Sequence, residues 1–304
     1  FEQEQLLMCD EDTERDAAEY LKSKLSRREF NTLAAGGAVM MALPGVAGAV
    51  EVTGKEVNVT TPAGVADCFF VHPAKGKHAG VIIWPDIRGL RPAFRMMATR
   101  LAESGYAVLC VNHFYRSAKA PVVAEGESFG DPEVRARIMP YYQATATTAT
   151  NLIDAKAFVT FLDAQKSVDV TRKIGTTGYC MGGPIVLRTA AAVPDRIGAG
   201  ATFHGAGLVT DQPDSPHLLI PEMDAEFLIA IAENDDKKGP GVKEVLRDNY
   251  EVAGLDAEIE VYEGTLHGWC PPDSQVYDKV QAERAWSRLL ALFDRTLGSS
   301  VRYS

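Results

Sequence analysis

Cys180 is bracketed by glycines in the run Gly178-Tyr179-Cys180-Met181-Gly182-Gly183. A buried structural cysteine needs no such neighbours. A nucleophile held on a sharp turn does, because its backbone is strained and bulky side chains beside it would collide. The run follows Lys173-Ile174-Gly175-Thr176-Thr177, which reads as a strand, and precedes the stretch from Pro184 to Val193, which reads as a helix. Strand, turn and helix N-terminus are the setting in which G-x-nucleophile-x-G performs covalent catalysis. The helix start also puts positive partial charge where a thiolate or an oxyanion must form.

A thiol nucleophile needs a proton acceptor, and that acceptor needs an orienting group. Three histidines follow Cys180: His204, His217 and His267. His267 lies in Glu263-Gly264-Thr265-Leu266-His267-Gly268-Trp269, a loop between a strand and the final helix, and is the expected base. His204 ends the strand after the elbow strand and reads as a packed or hydrogen-bonded residue able to line the pocket; His217, beside Pro216, reads as a surface loop. The chain order nucleophile, acid, histidine directs the search for the acid to Ala232-Glu233-Asn234-Asp235-Asp236, with Asp235 preferred over Asp236. An oxyanion hole needs two backbone N–H groups. Met181, after the nucleophile, and Ile87, in Trp84-Pro85-Asp86-Ile87-Arg88-Gly89, are placed to supply them. Asp86 brings a charge close to the thiol, with Arg88, Arg91 and Arg95 as possible ion partners. Tyr179 and Trp269, which flank the reactive residues, are candidates for substrate contact.

The elements that must carry these residues are short apolar runs alternating with segments of helical period. Glu56 to Pro73 reads as a hairpin. The runs 79–85 and 106–112 are apolar throughout, as in strands buried on both faces. Pro92 opens a helix with Phe94, Met97, Ala98 and Leu101 on one stripe. Asn151 to Ala164 reads as a helix. Three further strands follow the elbow, and Trp286, Leu289, Leu290 and Phe293 form the stripe of a last helix. The alternation predicts one α/β domain, a mostly parallel sheet of about eight strands with helices on both faces.

Together, Gly178 to Gly183, the stretch from Asp86 to Arg116 and Tyr262 to Trp269 resemble the dienelactone hydrolase family over about residues 55–295. The resemblance implies an α/β-hydrolase fold and a Cys-His-Asp triad that cleaves an ester or lactone through an acyl-thioenzyme, as in a carboxymethylenebutenolidase. It also implies an acid that helps to deprotonate the thiol. Asp86 stands at that position, where the family has the longer glutamate. Arginines hold the substrate carboxylate in the family's dienelactone enzymes. Arg135 or Arg137 matches the one upstream of the elbow, whereas Pro271 stands where the other would be, four residues after His267. Cys270 is a further departure. A broad-specificity short-chain carboxylesterase is the alternative within this chemistry. A thiol redox protein using Cys180 is the alternative outside it, although no CxxC pair is present.

Composition bounds these readings. The 304 residues carry a net charge of −10, which argues against a nucleic-acid partner. The five cysteines, Cys9, Cys68, Cys110, Cys180 and Cys270, have neither disulfide-framework nor zinc-site spacing, so no metal and no cofactor are expected. The expected partner is a small ester or lactone. Residues 1–49 form an extension in which Ser26-Arg27-Arg28-Glu29-Phe30 precedes a Gly/Ala-rich apolar run ending in Ala47-Gly48-Ala49. This resembles a twin-arginine export signal with a cleavage site. It points to the twin-arginine machinery as a partner and to a periplasmic or exported location, with a cytoplasmic one if the signal is unused. The catalytic domain is expected over residues 50–304.

Overall fold

The computed structural model describes residues 11–24, 40–124 and 126–298. The Arg27-Arg28 motif lies outside them. Eight strands form one sheet: β1 (Val52–Thr61), β2 (Gly64–Pro73), β3 (Gly80–Trp84), β4 (Ala107–Val111), β5 (Ile174–Tyr179), β6 (Ile197–Phe203), β7 (Glu226–Ala232) and β8 (Ala257–Tyr262). Their order is β1-β2-β4-β3-β5-β6-β7-β8. β1, β2 and β4 pair antiparallel, and every other neighbour pair is parallel. This is the mostly parallel sheet expected from the alternation of elements, in the α/β-hydrolase fold that the family resemblance implies.

The helices are α1 (Glu11–Lys24), α2 (Pro92–Glu103), α3 (Pro132–Thr145), α4 (Thr148–Asp163), α5 (Gly182–Ala192), α6 (Glu233–Lys238), α7 (Val242–Ala253) and α8 (Lys279–Leu297). The period-2 geometry of a strand explains why the central strands are apolar throughout. Ile82 and Trp84 of β3 join Phe158 of α4, Ile185 of α5 and Leu246 of α7 in one core. Val81 and Ile83 point the other way, into a second core with Phe94 of α2 and Phe293 of α8. Two layers of helix therefore clamp the sheet.

Three boundaries differ from the pattern-based expectation. α4 starts at Thr148, because the Thr147 hydroxyl accepts from the Thr150 N–H at 3.2 Å and caps it. β7 stops at Ala232, so Asp235 stands on the short helix α6 and not on a strand end. Residues before Val50 also meet the catalytic domain. Leu21 of α1 is buried, and Met41 donates its backbone N–H to Pro272 O at 2.9 Å.

A buried charge anchors α4 to the turn after β4. Asp154 is fully buried and accepts from Arg116 Nη1 and Nη2 at 2.6 and 2.8 Å and from the Tyr115 hydroxyl at 2.7 Å. Removing one partner of such a group leaves the others desolvated and unpaired. Asp154→Ala is expected to lower stability by about 3 kcal/mol, read as a fall in the urea midpoint. An unchanged midpoint would show that water replaces the carboxylate.

Candidate active site

In an open parallel sheet, ligands bind beyond the carboxyl ends of the strands, near the point where strand order reverses. Here the order reverses between β3 and β5. Ile87 follows β3, Cys180 follows β5, His204 follows β6, Asp235 follows β7 and His267 follows β8. Five successive strand ends thus deliver the chemistry to one edge.

Cys180 has φ 53°, a left-handed conformation that costs a non-glycine residue energy. Close packing holds it there. A methyl group on Gly178 would collide with the Gly182 carbonyl, and one on Gly182 with the Trp84 carbonyl. The glycines let the first turn of α5 sit directly on β3 and β5. Cys180 donates its N–H to Phe203 O at 3.1 Å, and its carbonyl accepts from Gly183 N at 2.9 Å. The N–H groups of Ile87 and Met181 are engaged by no other hydrogen bond among the described residues.

His267 is held from three directions. Its backbone N–H donates to Asn234 Oδ1 at 2.8 Å, and its ring Nδ1 lies 2.8 Å from Asp235 Oδ2. The ring also hydrogen-bonds the Cys180 side chain. The side chains of Cys180, Asp235 and His267 are buried. Burial alone would pull the imidazole pKa down. The Asp235 carboxylate and Cys180 outweigh it and raise the pKa well above its ordinary value. This arrangement can hold an imidazolium beside a thiolate at neutral pH.

Asp86 lies at the same chamber, with both carboxylate oxygens engaged. It accepts from Arg91 Nη1 and Nη2 at 2.6 and 2.9 Å and from Arg88 N–H at 2.9 Å. Burial pushes its pKa up, but the Arg91 charge prevails and holds it below the usual carboxylate range. Arg91 in turn donates Nε and Nη2 to Asp273 at 2.6 and 2.9 Å. Sequence reasoning missed Asp273, which is 182 residues from Arg91 in the chain.

The inner chamber, of about 110 Å³, is lined by Cys180, His204, His267, Asp86, Ile87 and Arg88. It opens into an outer cavity of about 460 Å³ with Phe129, Val123 and Val276 in its walls. Thr13 and Ala17 of α1 close part of the mouth. His204 has φ 41°, and neither ring nitrogen has a hydrogen-bond partner. Burial, reinforced by nearby His267, keeps its pKa well below the ordinary value, so it is neutral.

Four sequence candidates are not among the lining residues of either cavity. Tyr179 precedes Cys180, so period-2 alternation sends its ring to the opposite face, stacked on Phe203 and against Phe94. Trp269 is fully buried, stacked on Tyr262 and edge-on to His204, where it supports the pocket from behind. Arg137 pairs with Glu127 at 2.5 Å and donates to Val122 O. The Arg135 guanidinium lies 5.3 Å from the centre of the Phe129 ring. Among the described residues, no group of three or more His, Cys, Asp or Glu is placed to hold a metal ion.

Known proteins share this architecture. Residues 66–297 match the model of the dienelactone hydrolase family. The carboxymethylenebutenolidase of Rhodococcus opacus is 28% identical over 252 residues, which cover 76% of this chain and 88% of that protein. Protein usf of Aquifex pyrophilus is 26% identical over 225 residues, covering 72% of this chain and 88% of its own. Among solved structures, the dienelactone hydrolase-like promiscuous phosphotriesterase P91 from metagenomic libraries superposes with a TM-score of 0.65 at 22% identity. That match covers 81% of this chain and 99% of P91. With its family match running from β2 to α8, the chain belongs to the dienelactone hydrolase family, hydrolases acting on lactone and ester bonds.

Proposed function

We propose that Cys180, His267 and Asp235 act as a catalytic triad that hydrolyses a small carboxylic ester or lactone through an acyl-thioenzyme. The observation that carries this reading is the His267 ring, bonded to Asp235 on one side and to Cys180 on the other at the carboxyl edge of the sheet. The Cys180 thiolate attacks the carbonyl carbon, and the carbonyl π electrons move to oxygen. The Ile87 and Met181 N–H groups stabilise that oxyanion. As the tetrahedral species collapses, the His267 imidazolium gives its proton to the departing alkoxide. Water then attacks the thioester, His267 takes its proton, and the acid leaves as the thiolate returns. In a lactone the alkoxide stays tethered, and the product is a hydroxy acid.

Asp86 has a structural part in this scheme. With both oxygens engaged, it shapes the loop that presents the Ile87 N–H group. Proton acceptance from the thiol falls to His267. His204 remains a neutral wall of the chamber.

Cys180→Ala is expected to reduce turnover of p-nitrophenyl butyrate by on the order of a thousandfold or more, with an unchanged melting temperature. Residual turnover near the wild-type rate would sink the triad. A second test uses the raised pKa of His267. An imidazolium that persists above its ordinary pKa of about 6.5 sustains a thiolate at pH 7. Asp235→Asn removes the strongest upward push, so iodoacetamide alkylation of Cys180 at pH 7 should slow by about tenfold or more. An alkylation rate matching the wild type from pH 6 to 9 would refute the ion pair.

We also propose that the segment around Arg27-Arg28 directs export by the twin-arginine route, with removal after Ala49. The exposure of Ala47, Gly48 and Ala49 in an irregular segment supports a site accessible to a processing enzyme. A reporter fused to residues 8–50 is expected to leave the cytoplasm folded, and Arg27→Lys with Arg28→Lys to block it. Export indifferent to the double substitution would count against the route. A chain starting at Val50 lacks α1, so its kcat/KM for p-nitrophenyl octanoate should rise severalfold over the full chain.

A further inference from the structure

The charged side chains around the chamber are matched among themselves. Arg91 has five N–H donors, and all are spent. Nη1 donates to Asp86 Oδ1 and Gly89 O, Nη2 to Asp86 Oδ2 and Asp273 Oδ1, and Nε to Asp273 Oδ2. Arg88 Nη1 lies 3.1 Å from Asp273 Oδ2. Glu127, also on the outer wall, pairs with Arg137. The lining residues therefore include two arginines, Arg88 and Arg91, and three carboxylates, Asp86, Asp273 and Glu127. Pro271, which carries no charge, lines the inner chamber four residues after His267. The rest of the outer wall is largely apolar, with Phe129, Val123 and Val276.

An incoming carboxylate would lose its hydration in this cavity. It would find no donor left on Arg91 and would have to compete with Asp86 and Asp273 for the arginines that line the cavity. An uncharged acyl chain loses nothing and gains contact with Phe129 and the valines. We infer that this site selects uncharged esters or lactones and discriminates against substrates that carry a carboxylate on the acyl side, with Asp273 as a specificity-determining residue. This deepens the hydrolase reading above and rests on it. Asp273 acts by neutralising Arg88 and Arg91, so that the arginines hold the loop and not the substrate.

The test uses two isosteric esters that differ in one terminal group: p-nitrophenyl hexanoate, ending in a methyl, and mono-p-nitrophenyl adipate, ending in a carboxylate. At pH 7.5 and low ionic strength, kcat/KM for the hexanoate should exceed that for the adipate by about tenfold or more, and the gap should narrow as salt is added. Adipate turnover equal to or faster than hexanoate would overturn the inference while leaving the hydrolase reading intact. Turnover of neither ester would overturn the hydrolase reading itself, and the inference with it. Asp273→Asn leaves the two arginines with one counter-charge fewer, so the hexanoate-to-adipate ratio should fall about tenfold. A purely structural role for Asp273 would depress both substrates alike; an unchanged ratio in an enzyme that still cleaves hexanoate would strike the residue from the specificity argument.

Discussion

The contact on which the site depends is the meeting of three backbones at Trp84, Gly178 and Gly182. α5 must start directly on the ends of β3 and β5, and no side chain fits between them. That approach forces the intervening residue, Cys180, into its left-handed conformation. It also fixes where the helix N-terminus points. Cys180, the positive end of α5 and the Met181 N–H group are thus positioned by one steric condition. The strain at Cys180 is met by packing that a folded sheet clamped between two helical layers can supply. Trp84, whose carbonyl closes the contact, is itself fixed by its indole N–H, which donates to Thr176 Oγ1 at 3.1 Å.

Around that point the protein buries an unusual amount of charge. Asp86, Arg91, Asp235 and His267 are all nearly inaccessible to water. Isolated, each would be costly. The cost is met by pairing within two separate groups: Asp235 with His267 and Cys180, and Asp86 with Arg91 and Asp273. In the first group the His267 ring bridges a carboxylate and a thiol and can share a proton with Cys180. The second is saturated, since Arg91 has no donor left. Two neighbouring charge clusters therefore have opposite characters, one chemically poised and one inert. The difference comes from hydrogen-bond count and not from net charge.

These properties explain what the chain discloses in one dimension. Cys180, Met181, Ile87, Asp235 and His267 are legible because each follows a strand within a few residues, and the ends of strands can be found from apolar runs and turn residues. β3 and β4 are legible for the same reason, since strands buried on both faces are uninterrupted apolar runs, whereas the exposed β1 is legible only as one arm of a hairpin. Tyr179 shows a limit within that logic. It adjoins Cys180 in sequence, but alternation along β5 carries its ring to the far face of the sheet. Arg91 and Asp273 show a second limit. Their pairing spans 182 residues and depends on where the loop after β8 crosses α2, which no local pattern encodes. Arg135 and Arg137 lie on α3, whose small apolar stripe leaves its rotation against the sheet unspecified by pattern.

The N-terminal helix raises a different question: how firmly it covers the mouth. α1 reaches Asn234, the residue whose side-chain oxygen holds the His267 backbone, through an Asn234 Nδ2 hydrogen bond to Asp16 at 3.2 Å. Asp16 also pairs with Lys238 at 3.1 Å, where both side chains are partly exposed. A pair in that setting contributes at most about 1 kcal/mol. Burial of Leu21 adds roughly 2 kcal/mol. The mouth combines two parts: a floor locked by glycine contacts between strands and helix, and a roof whose contacts include the buried Leu21 and the hydrogen bond and ion pair of Asp16. Through Asn234 the roof touches the side chain that holds the His267 backbone, so cover and floor meet beside the imidazole.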